Sequence, residues 1–146
     1  MNDLAPRVER AACERAYRQA HYRIHEAGES FTLLIDQPSA VLRQCHVRHG
    51  VNASAFMTAW NPYSVLCDEH VNARAHAHLL ADLRTAGFAY LSAEALDSTE
   101  QWPIECGLLV LGVSQADALM LGTRYQQNAV VCCDEGGTPR LQWCTS

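Results

Sequence analysis

The segment Ile104–Val113, Ile-Glu-Cys-Gly-Leu-Leu-Val-Leu-Gly-Val, is apolar almost throughout. Such a run reads as a central β-strand buried on both faces, because a strand with one wet face alternates apolar and polar residues. A strand of this kind belongs in a sheet with helices packed on it. The 146 residues suit one domain with a real core. The expected fold is a single α/β domain over residues 1–146, a mixed parallel/antiparallel sheet with helices packed on it.

The remaining elements follow from periodicity and caps. Leu4, Val8, Ala12, Ala16 and Ala20 recur every fourth residue and predict an amphipathic helix over residues 4–20. Tyr22–Ile24 and Phe31–Ile35 flank Glu26-Ala27-Gly28-Glu29, a hairpin with Gly28 at its turn. Ser39 caps a helix over Ala40–His49, which Gly50 ends. A strand over Ala55–Trp60 stops at Asn61-Pro62, and Pro62 is expected to hold Asn61 extended. Asp68 caps a helix whose buried stripe is Val71, Ala75, Leu79 and Leu83, and Gly87 ends it. Phe88–Leu91 reads as a strand. Ser114 and Asp117 cap a helix over Gln115–Arg124. Asn128–Cys133 and Arg140–Cys144 are the last strands.

Connection rules then suggest a topology. A helix joins strands 55–60 and 88–91, and another joins strands 104–113 and 128–133, so each pair should run parallel. The loop between 88–91 and 104–113 holds no helix, so those two should be antiparallel. Under this scheme the end of strand 55–60 and the starts of strands 104–113 and 128–133 share one edge of the sheet.

Composition excludes several chemistries. All eleven basic side chains are arginine, which removes Schiff-base chemistry through a side-chain amine and the P-loop lysine. The net charge of −5 argues against a broad nucleic-acid surface. Arg7, Arg10, Arg15, Arg18 and Arg23 are interleaved with Glu9 and Glu14, as on a salt-bridged helix face. Seven cysteines, an odd number without any CxxC, do not read as a disulfide framework. Cys67, His70, His76 and His78 lack closed zinc-ligand spacing. No structural metal and no cofactor are expected. There is no apolar run long enough to span a membrane and no export pattern at the N-terminus, so a cytoplasmic protein is expected.

The candidate site collects at the shared sheet edge. Glu105 opens the buried strand and is the candidate catalytic carboxylate, a general base or an acceptor for a ligand hydroxyl. Asn61, Ser64, Asn72, Arg124, Gln127 and Asn128 are the candidate ligand-binding residues. The helix N-terminus next to Asn72 offers free amides, which would suit a small anionic ligand. Cys106 shares a strand face with Ile104 and Leu108 and reads as a core residue rather than a nucleophile.

The pieces Thr58-Ala59-Trp60-Asn61-Pro62-x-Ser64, Asn72, Trp102-Pro103-x-Glu105, Leu109-Val110-Leu111-Gly112 and Gln127-Asn128-Ala129-Val130 together resemble an uncharacterised bacterial family, domain of unknown function 3293. The resemblance runs from about Tyr17 to Leu141. It implies a small bacterial α/β protein without an established activity. Two functional classes therefore stand side by side. One is a ligand-binding or enzymatic pocket at the Asn61/Glu105/Asn128 edge. The other is a protein–protein interaction module in which the same residues only fix turns and strand ends.

Overall fold

A computed structural model describes residues 10–144. Among these, four α-helices and seven β-strands form three layers. The strands are β1 (His21–Glu26), β2 (Glu29–Leu33), β3 (Ser54–Met57), β4 (Ala89–Leu96), β5 (Glu105–Leu111), β6 (Ala129–Cys133) and β7 (Pro139–Trp143). Their order across the sheet is β2-β1-β4-β5-β3-β6-β7. The helices are α1 (Arg10–Gln19), α2 (Ala40–His49), α3 (Glu69–Ala86) and α4 (Gln115–Arg124).

The sheet is antiparallel throughout, which corrects the expected mixture. β3 and β4 are each antiparallel to β5, so they run in the same direction but never pair. Likewise β5 and β6 run the same way on either side of β3. A helical crossover fixes the relative direction of two strands but not what lies between them. β5 occupies the gap because its short loop from β4 closes directly into a hairpin, and because its two apolar faces need the middle of the sheet.

The helix ends follow their capping chemistry. Ser39 accepts from Leu42 N and Ser114 from Asp117 N. Asp68 accepts from His70 N, and Gly50 and Gly87 close α2 and α3 in the left-handed conformation. Strand ends deviate more. β3 stops at Met57, short of Trp60, because the Thr58 hydroxyl takes over the edge. It donates to Cys106 O at 2.5 Å and accepts from Trp60 N at 3.0 Å. β4 continues to Leu96, beyond the expected Leu91, because β1 and β5 pair with it on both sides. Residues 4–9 of the expected helix 4–20, with Leu4 and Val8, lie outside the described residues.

β5 alternates between two cores. Leu109 and Leu111 face one side with Ile24, Phe56 and Val131, under Leu42 and Cys45 of α2. Leu108 and Val110 face the other with Met57 and Val130, under Leu79 and Leu83 of α3 and Leu121 of α4. Gly107 is required where β5 crosses the Phe56 ring. A Cβ there would lie 2.7 Å from Phe56 Cζ and 2.8 Å from the Met57 carbonyl. Gly107→Ala should therefore destabilise by about 1–3 kcal/mol through overpacking, read as a lower denaturation midpoint in urea with an unchanged slope.

Cys106 is exposed, and so is Ile104, which corrects their assignment to the core. Ile104 precedes Glu105, the first paired residue of β5. All seven cysteines are free. Among the described residues no helix is long and apolar enough to cross a membrane.

Candidate functional site

The strand directions deduced from the crossovers bring the ends of β3 and β4 and the starts of β5 and β6 to one end of the sheet. A cavity of about 440 Å³ opens there between α1 and the sheet. Small-molecule pockets fall within roughly 300–1,000 Å³. The cavity exists because α1 turns small residues toward the sheet. Ala12, Cys13 and Ala16 line it from above, and Tyr22, Phe56 and Val131 from below. Tyr22 and Phe56 pack with ring centroids 4.9 Å apart.

The polar end of the cavity is built around Asn61. Asn61 adopts φ 49°, ψ 63°, and Tyr63 and Ser64 are also left-handed. The expected extended Asn61 is thus corrected. Asparagine tolerates this conformation, and its side chain is held on three sides. Its Oδ1 accepts from Cys67 N and from Asn72 Nδ2, both at 2.9 Å. Its Nδ2 donates to Glu105 Oε2 at 2.8 Å. Asn72 Oδ1 in turn accepts from Asn61 N at 2.9 Å. The two accepted N–H groups fix which way the Asn61 amide points.

Glu105 Oε2 receives a second hydrogen bond, from Trp102 Nε1 at 2.8 Å. Its other oxygen, Oε1, has no partner among the described residues. Burial pushes the Glu105 carboxyl above its usual range, and the donors Asn61 and Trp102 only partly oppose this. The Trp102 loop is itself pinned by Asp97, whose carboxylate accepts from the Thr99, Gln101 and Trp102 amides. Across the site, Ser64 Oγ lies 3.3 Å from Tyr17 Oη and accepts from Asn128 Nδ2 at 3.1 Å. Gln127 donates both amide hydrogens, to Trp60 O at 3.1 Å and Tyr125 O at 3.2 Å.

Glu105, Asn61, Ser64 and Gln127 therefore line one cavity. Asn72 is buried behind Asn61, and half-buried Asn128 stands behind Ser64, as supports. Arg124 lies elsewhere, 3.3 Å from Asp82 on the surface between α3 and α4. Trp102, Tyr17 and Asp97 line the cavity without having been singled out in sequence. Trp102 had a signal, its place three residues before Glu105 in the Trp-Pro-x-Glu piece. Tyr17 had none, since it lies outside the Leu4–Ala20 stripe.

Other candidate groups fall away from this site. The Cys106 thiol is pushed up by desolvation and by the Glu94 and Glu69 carboxylates, the opposite of an activated nucleophile. Among the described residues, Cys67, His70, His76 and His78 form no group of three metal ligands. Glu26, Cys45 and His49 do bring ligand atoms within 4.8 Å of one another. They sit at the far end of β1 from the cavity, and both Glu26 oxygens are already paired, with Arg48 and His49. Along α1, Arg18 pairs with Glu14 and Asp36, and Arg10 lies 4.3 Å over the Trp143 ring.

No curated protein and no solved structure matches the chain. A family model described as "Protein of unknown function (DUF3293)" matches residues 57–130, the stretch that runs from the end of β3 to β6 and carries Asn61, Asn72, Trp102, Glu105 and Gln127. The chain belongs to the DUF3293 family.

Proposed function

We propose that the chain binds a small molecule between α1 and the sheet, with a polar group of the ligand against Glu105. One observation carries this reading: a carboxylate in an apolar-walled cavity, with a single oxygen partnered. Burying a carboxylate lowers stability, so a fold shaped for stability alone would favour an uncharged residue there. The anionic ligand expected from the α3 amides loses its basis. Cys67 N is taken by Asn61, His70 N by Asp68, and neither residue lines the cavity. The ligand is instead a small polar molecule with an apolar body. If the site is catalytic, Glu105 is its general base or acid, because its raised pKa moves it toward neutral pH.

A thermal-shift screen tests the reading, since a ligand of the folded state raises the melting temperature. The double substitution Ala12→Leu/Ala16→Leu supplies the control. It fills the cavity from α1 with good helix formers and should keep or raise stability while abolishing every ligand-induced shift. Shifts that persist in the filled variant would show that the ligands bind elsewhere. A second reading, the interaction module, draws on Tyr63, Val65, Leu66 and Val71, which are exposed around the loop after Asn61. It predicts that Val65→Ser/Leu66→Ser changes association with another protein and leaves ligand shifts intact.

A further inference from the structure

We propose that the group seated against Glu105 is an organic ammonium, so that the cavity's ligand is a protonated amine with an apolar or aromatic body. This rests on the cavity being a ligand site and names the ligand's class. Several donors at the polar end are already engaged. Trp102 Nε1 is spent on Glu105, both Gln127 amide hydrogens on the Trp60 and Tyr125 carbonyls, and the Thr58 hydroxyl on Cys106 O. The Gln127 amide cannot be flipped, because its oxygen would then face two carbonyl oxygens. Two acceptors are left without partners among the described residues, Glu105 Oε1 and Gln127 Oε1. Both residues line the cavity. A ligand group that meets these two oxygens must bring hydrogens rather than receive them.

Charge narrows the choice further. Asp97 and Glu105 are acidic, and no arginine or histidine is found among the described lining residues. The Asp97 carboxylate is occupied by its own loop, which leaves Glu105 as the uncompensated charge among the described lining residues. A ligand carboxylate or phosphate would set like charges together in an apolar space, where screening is weak. A hydroxyl could donate one bond but would leave the carboxylate's charge unbalanced. An ammonium balances it and has further N–H groups for Gln127 Oε1. The aromatic walls, Tyr17, Tyr22, Phe56 and Trp102, favour a cation over an anion for the same reason.

The test is a matched ligand series at neutral pH on the full chain: hexylamine and phenethylamine against hexanol and phenylethanol, and against hexanoate and phenylacetate. Dissociation constants come from calorimetric titration, and folding of each variant from its melting temperature. The expected result is amines binding at least tenfold more tightly than their matched alcohols, and carboxylates binding least. In Glu105→Gln this preference should collapse while alcohol affinity is retained. If that variant does not fold, the series on the native protein decides alone. Alcohols or carboxylates binding as tightly as amines would overturn the ammonium assignment and leave the cavity reading standing. Binding by none of the three series, in native protein and filled variant alike, would overturn both.

Discussion

Asn61→Ala is expected to be among the most destabilising single substitutions in this chain, about 3–5 kcal/mol, in the upper tail for point mutants. Two effects combine. Removing the carboxamide orphans Cys67 N and one Asn72 amide hydrogen and takes one of two donors from Glu105 Oε2. Each buried group left unsatisfied loses about 1–3 kcal/mol. Alanine at φ 49° is also strained, by roughly 1–2 kcal/mol. Asn61→Gly separates the two, because glycine accepts the left-handed backbone. It should recover the strain but not the hydrogen bonds. Equilibrium urea denaturation of both variants measures the split. A loss below 1 kcal/mol for Asn61→Ala would mean that the residue does not hold this end of the sheet together.

Glu105 should separate stability from binding. Its folded pKa lies above the ordinary value of 4.5, so the folded state binds more protons than the unfolded one between those two values. Stability from this group is therefore fully present below pH 4.5 and falls as pH rises through the raised pKa, the reverse of a salt-bridged carboxylate. Glu105→Gln keeps an acceptor for Asn61 and Trp102 and removes the half-buried charge. It should match the native protein in acid and exceed it in melting temperature at neutral pH. Glu105→Ala leaves both donors without a partner and should lose about 1–3 kcal/mol. Melting curves of the three proteins between pH 4 and 8 check the sign. A native protein that gains stability relative to Glu105→Gln as pH rises would mean that Glu105 is a compensated, structural carboxylate.

What was legible in the sequence, and what was not, follows from the range of the interactions. α2, α3 and α4 were readable to the residue, because Ser39, Asp68 and Ser114 and the glycines 50 and 87 act within one helical turn. The meeting of Asn61, Glu105 and Gln127 was readable too, since it needs only strand directions. Neighbour order was not. That β5 lies between β3 and β4 depends on which strand fills a gap, and no local signal reports it. The left-handed Asn61 overrode the expectation from Pro62 because its side chain answers to Asn72, Cys67 and Glu105, up to 44 positions away in the chain. The cavity was hidden for a related reason. Ala12 and Ala16 read as an apolar stripe, and only their distance from Phe56 and Val131 turns small side chains into empty volume.

The most direct test is native mass spectrometry of protein taken from the cells that make it, with Ala12→Leu/Ala16→Leu alongside. A cavity of about 440 Å³ walled by apolar residues and ending on Glu105 should carry one small molecule per chain, present on the native protein and lost from the filled variant. Equal adducts on both proteins, or bare masses for both, would contradict a ligand site between α1 and the sheet.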